Sequence, residues 1–373
     1  MNSDSHQIFI GTSVHHWNDN RIFYKEAVSL SKKYNVELHA PAEFEKKHLK
    51  GIDIYGLPLW EKEKDRRTIR LELWRRLSRS DAAIFHFHDP ELIWIGIKAK
   101  IKLKKIVIYD IHENVSATLL HKKWLNLFGK YFFYISYKIV ESIIGYIFNH
   151  FILAVNFFKS PNKINTTIIF NYPIKTDINK KIMKNIDLLY LGAVSENRGI
   201  YIIIELVYRL IKSHPNLNVE IIGQIPRLIK NDIEYELENK KLTNVISLRG
   251  YIDYNDALDY LKRSKIGLCL LIPTKNYIHS YPTKLFDYMT AGIPVVGTNI
   301  GYLDKIINEA QCGYLVGPSD IDGAVSVLDE LLSHNSDREK MGANGWHYIN
   351  NRYNWESEEE KLLNLYSTLL LPG

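Results

Sequence analysis

Short apolar runs rich in β-branched residues alternate with longer segments of helical period along nearly the whole chain, a pattern that predicts βαβ units and parallel sheet. The pattern occurs twice. In the first half the strand candidates are QIFIG (7–11), VELHA (36–40), AAIFHFH (82–88), KIVIYDIH (105–112), FILAVN (151–156) and TTIIFN (166–171). Helices fit between most of them, one from Ile22 to Lys33. In the second half the strands read IDLLYLG (186–192), NVEIIGQ (218–224), VISLRG (245–250), KIGLCLLI (265–272), PVVGT (294–298) and GYLVG (313–317), each followed by a helix candidate. Between the halves lies NYPIKTDINKKIMKN (171–185), polar with a proline after a strand end, which reads as a linker with its boundary at Pro173. The last segment, 353–370, has Trp355, Leu362, Leu363, Tyr366 and Leu369 at helical spacing with acids at its start. It predicts an amphipathic closing helix.

Composition narrows the class. A chain of 373 residues has room for two or three domains, and 46% apolar with 24% charged residues, 12 Pro and 20 Gly excludes collagen, low-complexity disorder and a coiled coil. No repeat of 20–50 residues recurs, so a solenoid or propeller is excluded too. The net charge of +6 asks for an anionic partner and leaves nucleic acid, anionic membrane and a phosphorylated small molecule open. That charge is regional: residues 98–184 carry fifteen lysines against Asp110, Glu113, Glu141 and Asp177. The same region holds twelve aromatic residues between Trp124 and Phe158. It reads either as a core helix feeding a buried strand or as an aromatic, basic surface at a lipid interface. Two cysteines, Cys269 and Cys312, are too few for a disulfide framework or a structural zinc site and point to a reducing compartment. MNSDSHQIFIG lacks a basic n-region and a long apolar core, so a cytoplasmic location is expected.

Two segments carry candidate chemistry. In YPTKLFDYMTAGIPVV (281–296), Lys284 and Asp287 are three apart and share a helix face after the strand KIGLCLLI, where open α/β sheets bind ligands. A lysine there can offset phosphate charge and an aspartate can accept from a ribose diol. The same spacing also describes a solvated ion pair, and the pattern alone leaves both open. In LGAVSENRGI (191–200) a strand ends at Gly192, and a polar loop leads to Arg198 and Gly199 before a helix whose start can bind an anion. A third string, HFHD (86–89), contains two histidines and an acid, but the histidines alternate with Phe85 and Phe87 on a strand. It reads as a wall of the sheet rather than a metal cage, and no metal is expected.

Taken together and in order, these motifs resemble the retaining glycosyltransferases of family 4. LYLGAVSENRGI and, some ninety residues on, YPTKLFDYMTAGIPVV resemble the family's donor-binding half. WNDNRIFYKEAVSL (17–30) resembles its opening loop and helix, FHFHDPEL (85–92) its third-strand motif, IYDIHENV (108–115) a strand ending in a histidine that faces the reaction centre, and 341–366 its terminal helix pair. The resemblance implies the α/β GT-B fold, two Rossmann-like domains with parallel sheets facing across a cleft. The expected domains are 1–172 for the acceptor, with the closing helix 353–371 crossing back to pack on it, and 173–352 for the nucleotide-sugar donor.

Carried over to this sequence, Arg198 and Lys284 bind the donor diphosphate together with Gly192, Gly199 and Thr283, Asp287 holds the ribose, and His112 faces the donor sugar. Family members often show two glutamates eight positions apart. Here the second is Asp287 and the first is His279, which leaves the donor sugar open and makes His279 its candidate contact. Asp19, Arg21, His88, Asp89 and Glu113 are acceptor-side candidates, for Asp19 and Arg21 alongside the plainer reading of a helix cap and a surface arginine. Together these residues imply a metal-independent retaining transferase without cofactor. A UDP-sugar donor is favoured over GDP-sugar. The acceptor reading, a lipid-linked saccharide of capsule or O-antigen assembly at the cytoplasmic face of the inner membrane, combines the resemblance with composition. The competing readings are a nucleotide-sugar epimerase or hydrolase and a non-enzymatic protein of anionic surfaces. No nucleic-acid module is recognised, and nucleic acid is not expected as a partner.

Overall fold

A computed structural model describes residues 6–59, 65–112, 127–154, 161, 165–177, 182–278 and 283–371. The chain divides into two compact units, Met1–Asn171 with Trp355–Gly373, and Tyr172–Asn354.

In the N-terminal unit eight strands form one sheet: β1 (Gln7–Gly11), β2 (Asn35–Pro41), β3 (Lys46–Leu49), β4 (Ile52–Leu57), β5 (Ile84–Phe87), β6 (Ile106–Ile111), β7 (His150–Leu153) and β8 (Thr166–Ile168). Their order is β3-β4-β2-β1-β5-β6-β7-β8, and all pairs are parallel except β3 with β4. The central strands are buried on both faces, as helix-covered parallel strands are. The unpredicted element is the β3–β4 hairpin, which turns at Lys50 and Gly51, both at positive φ of 51° and 77°. Its outer strand, KKHL, is polar and exposed on the sheet edge, so it carries no apolar alternation to read. The first helix also differs, beginning as a π-helical stretch, Ile22–Ala27, before the α-turn Val28–Ser31.

The closing helix, Trp355–Leu370, packs on this unit. Trp355 Nε1 donates to Ser29 Oγ at 2.9 Å, Glu358 accepts from the Phe170 backbone N–H at 2.8 Å, and the Tyr366 hydroxyl meets His86 Nδ1 at 2.7 Å. Leu127–Ile147 forms one 21-residue helix. Ile144 is buried against the sheet while Tyr131, Phe133, Ile135, Ile139, Ile143 and Tyr146 are exposed, so the helix serves the core on one face and presents an apolar face on the other.

In the C-terminal unit six parallel strands, β9 (Ile186–Leu191), β10 (Val219–Ile222), β11 (Ile246–Gly250), β12 (Ser264–Cys269), β13 (Val295–Thr298) and β14 (Gly313–Val316), run in the order β11-β10-β9-β12-β13-β14. The order reverses at β9 and β12, the switch point where such sheets open a crevice at the carboxyl ends of the strands. Tyr288 fixes that point. Its hydroxyl shares its one proton between the carbonyls of Leu189 and Leu268 and accepts from the Leu191 N–H.

Candidate functional site

At the switch point of the C-terminal unit β9 runs out into Gly192, whose φ of +127° suits glycine. A Cβ on the neighbouring Gly223 would lie 1.9 Å from the Gly192 carbonyl oxygen, so the two strand ends pass in contact. The chain then turns through Glu196–Arg198 to Gly199, left-handed at φ 81°, which caps the helix Ile200–Leu210. Any side chain at Gly199 would strike the Leu270 carbonyl, at 2.0 Å from its Cβ. This tight turn sets Arg198 over the end of β9, where its Nε donates to the Tyr277 hydroxyl at 3.1 Å.

Lys284 reaches the same place from the first turn of the helix Thr283–Thr290. A Cβ on Gly192 would lie 3.6 Å from Arg198 Nη1 and 3.6 Å from Lys284 Cε. The two cations therefore converge on one backbone position. The Lys284 ammonium is buried, sits 3.8 Å from the centroid of the Tyr190 ring, and has no hydrogen-bond acceptor among the described residues. Burial brings its pKa down from 10.5 to about 8. Burial also lifts the adjacent Cys269 thiol to about 11, so it stays neutral and offers no counterion. A buried ammonium without an acceptor is costly unless an anion completes it.

Asp287, one turn further along, is half-buried and lines a cavity of about 470 Å³ with Lys184, Leu261, Lys262 and Glu339. Gly192, Arg198 and Lys284 do not line that cavity. Thr283 is exposed at the helix start, while His279 lies outside the described residues.

In the N-terminal unit the candidates gather at the carboxyl ends of β1, β5 and β6. His112 follows β6, and its Nε2 lies 3.1 Å from both Asp110 Oδ2 and His88 Nδ1, with the side chain 18% exposed. Burial pushes the Asp110 carboxyl up, but Arg21, with His112 and His88, holds it well below the usual carboxylate range. Asp110 is thus the anion that fixes His112. His15, whose ring centroid is 5.6 Å from that of His112, stands in front of it and was not anticipated.

Three acceptor-side expectations change. Arg21 is no surface residue: it is 3% exposed, its Nε and Nη2 reach Asp110 Oδ2 at 3.0 and 2.9 Å, and Nη1 donates to the Ile169 carbonyl at 2.9 Å. Its fork faces internal partners. His88 has a fully buried side chain behind His112, and burial drops its pKa to about 4, which makes it a neutral support rather than a wall. Asp89 turns its Oδ2 onto Thr12 Oγ1 at 2.7 Å and the Ser13 N–H at 2.6 Å, organising the loop after β1. Asp19 caps the following turn, its Oδ1 accepting from the N–H groups of Arg21 and Ile22 at 2.9 and 3.0 Å, while its other oxygen faces His15 at 3.4 Å. Glu113 lies outside the described residues.

Glu26 and Asp110 escaped the sequence reading. A signal for Asp110 was present: it alternates with His112 on one strand face, as His86 does with His88 on the next strand, and β5 and β6 pair in register from Ile84–Ile106 to Phe87–Tyr109. Glu26 carries no such signal, being one acid in an amphipathic segment.

Comparison with known proteins agrees with these two units. Residues 173–347 match the family model described as Glycosyl transferases group 1. The capsular polysaccharide biosynthesis glycosyltransferase CapM of Staphylococcus aureus is 20% identical over 201 residues, 54% of this chain and 50% of that protein. The chain spans about half the length of the curated relatives it matches. Among solved structures, sucrose-phosphate synthase from Thermosynechococcus elongatus superposes with a TM-score of 0.72 at 14% identity, covering 98% of this chain and 99% of that one. Anabaena HepE in complex with UDP gives 0.68 at 10% identity, covering 98% and 100%. These likenesses identify the architecture as the GT-B fold.

Proposed function

From a chain whose residues 173–347 match the family model of glycosyl transferases group 1, we infer a retaining glycosyltransferase that moves a sugar from a nucleotide-sugar donor to a saccharide acceptor. One observation carries this reading. Lys284, buried and without an acceptor, meets Arg198 on the bare backbone of Gly192 at the switch point of a parallel sheet. A diphosphate supplies the missing anion, and Gly192 leaves room for it to approach the backbone.

In the transfer the bond from the anomeric carbon to the diphosphate oxygen breaks while a new bond forms to an acceptor hydroxyl on the same face. The hydroxyl proton passes to the departing phosphate. Negative charge grows on the diphosphate as this happens, so preorganised cations lower the barrier most directly. Lys284 and Arg198 do this work in place of a divalent ion. Gly199 opens the helix whose first N–H groups add to the positive field, and Asp287 with Thr283 serves the ribose side. His112, held by Asp110, orients the sugar rather than forming a covalent bond to it.

The UDP bound by the structurally similar HepE supports uridine over guanosine. The naming of CapM supports a surface polysaccharide product. A lipid-linked acceptor is favoured by the exposed aromatic face of Leu127–Ile147 and by the lysine-rich stretch around it. No helix among the described residues is long and apolar enough to cross a membrane, so attachment at the cytoplasmic face would be peripheral.

The test is a panel of nucleotide sugars screened by melting temperature, followed by product analysis with and without acceptor saccharide. A UDP-sugar should raise Tm by several degrees, and UDP release should depend on the acceptor. Free sugar or an epimer formed without acceptor would identify a hydrolase or epimerase instead. No shift with any nucleotide sugar, together with salt-sensitive binding to anionic vesicles, would leave only a surface-binding protein.

A further inference from the structure

Four side chains converge in the core of the N-terminal unit, and supporting His112 through Asp110 and His88 does not account for the other two, Glu26 and His86. Glu26, His86, His88 and Asp110 each bring one oxygen or ring nitrogen within 4.8 Å of the others. All four side chains are fully buried. Glu26 Oε2 lies 4.0 Å from His86 Nε2 and 3.8 Å from His88 Nε2. Neither of those nitrogens, neither Glu26 oxygen, and not Asp110 Oδ1, has a hydrogen-bond partner among the described residues. Arg21 Nε does approach Glu26 Oε1, at 2.8 Å, but its single proton goes to Asp110 Oδ2. With Oε1 beside Arg21, four buried polar atoms, Glu26 Oε2, His86 Nε2, His88 Nε2 and Asp110 Oδ1, are left without a hydrogen-bond partner among the described residues, more than a folded core ordinarily leaves unmade.

Each imidazole is already fixed at its other nitrogen. His86 Nδ1 meets the Tyr366 hydroxyl at 2.7 Å, and His88 Nδ1 lies 3.1 Å from His112 Nε2 and 3.6 Å from Asp110 Oδ2. With the proton on Nδ1 in each ring, both Nε2 atoms keep their lone pairs for a ligand, which is how outer partners orient metal-binding histidines. Arg21 supplies a single guanidinium to the two carboxyl groups. Arg21 occupies one side of Glu26 and Asp110 and leaves Oε2 and Oδ1 on the other. Ligand atoms around a zinc at ~2.1 Å stand roughly 3.4 Å apart, so Glu26 Oε2 needs to close on each of the two nitrogens by only about half an ångström.

We propose that Glu26, His86, His88 and Asp110 hold a divalent transition-metal ion in the core of the N-terminal unit, with zinc the best match to two imidazoles and two carboxylates. Its role is structural: it joins the first helix to β5 and β6, and through Tyr366 to the closing helix. The expectation of no metal, drawn from the Phe–His alternation of β5, missed it because the completing acids lie on other elements. The ion takes no part in meeting the charge of the donor diphosphate, which falls to Lys284 and Arg198.

The experiment uses the untagged full chain, refolded from denaturant with zinc chloride or with EDTA, dialysed, and assayed for metal by mass spectrometry and for Tm. The expected result is about one zinc per chain and a Tm several degrees lower after refolding in EDTA. Cobalt refolded in its place should show the visible absorption of a four-coordinate N/O site. Tyr366→Phe keeps all four ligands and should weaken retention about tenfold, whereas His214→Gln, at an exposed pair with Asp329 in the other unit, should leave the stoichiometry unchanged. Less than about a tenth of an equivalent, with the same Tm in zinc and EDTA, would overturn the proposal and leave ordered water as the occupant. Loss of metal in His214→Gln alone would overturn it equally, by placing the ion on the surface.

Discussion

The two units treat buried cations in opposite ways. In the N-terminal unit Arg21 is closed into ion pairs with Asp110 and Glu26, so its charge is satisfied within the fold. In the C-terminal unit Lys284 is as deeply buried but meets an aromatic face, a neutral thiol and a second cation. A satisfied buried charge is part of the architecture. An unsatisfied one marks where something else must bind. Removing each cation should therefore have opposite consequences.

The largest effect belongs to that pair of substitutions. Arg21→Met leaves the Asp110 carboxylate buried without its counterion and should cost about 3–5 kcal/mol of stability, visible as a sharply lowered urea midpoint. Lys284→Met removes an unpaired charge and should leave the midpoint unchanged or raise it, while nucleotide-sugar turnover falls about 10²–10³-fold. If Lys284→Met destabilised the chain as Arg21→Met does, Lys284 would be structural and the donor assignment would fail.

Next in size is His112, which stands between the two cases, held by a satisfied network yet 18% exposed. His112→Ala should lower turnover more than tenfold, with the urea midpoint moving far less than for Arg21→Met. Unchanged turnover would remove His112 from the site. The pairing with Asp110 also sharpens the contrast, because here an internal carboxylate aims a side chain that is itself left free on one side.

Much of this division was legible in the chain and some was not. All twelve expected strands form, because buried parallel strands are apolar runs bounded by polar turns. The β3–β4 hairpin was missed because an exposed edge strand such as KKHL has no apolar period. Arg198, Gly199 and Lys284 could be named in advance because a turn and a helix start place them locally. Arg21 and His88 were named but misplaced: whether a polar side chain points outward or into the core depends on partners 89 residues away, as with Asp110, and no local pattern encodes that. Tyr190 was hidden for a related reason, since an aromatic residue in a strand reads as core until a lysine from another element lies on its face.

A smaller effect separates the two kinds of cation by pH. Burial lowers Lys284 to about 8 from its ordinary 10.5. Between those values the unfolded chain keeps a proton that the folded chain has released, so the contribution of Lys284 makes the unliganded protein more stable as pH rises. Nucleotide binding needs the protonated form and should weaken as pH rises through about 8, by at most tenfold per unit. Opposite slopes for stability and for affinity are the signature of a cation waiting for an anion. Lys284→Met should flatten both, and a nucleotide affinity that stayed level from pH 7 to 9.5 in the unsubstituted protein would sink the assignment.

The smallest effect on the fold tests the outer surface of the N-terminal unit, where charge is neither satisfied inside nor focused on one point. Tyr146 is 91% exposed on the Leu127–Ile147 helix, beside Ile139 and Ile143 on its apolar face. Tyr146→Ser removes apolar contact area without touching the core, so Tm should stay within about a degree, as for most surface substitutions. If that face lies in a lipid interface, co-sedimentation with anionic vesicles should fall several-fold, and the loss should be larger at high salt, where the lysines contribute less. Donor hydrolysis and nucleotide affinity should not move. Equal co-sedimentation of the two proteins at both salt concentrations would confine the chain's anion recognition to Lys284 and Arg198, leaving the lysine-rich stretch as a solvated surface.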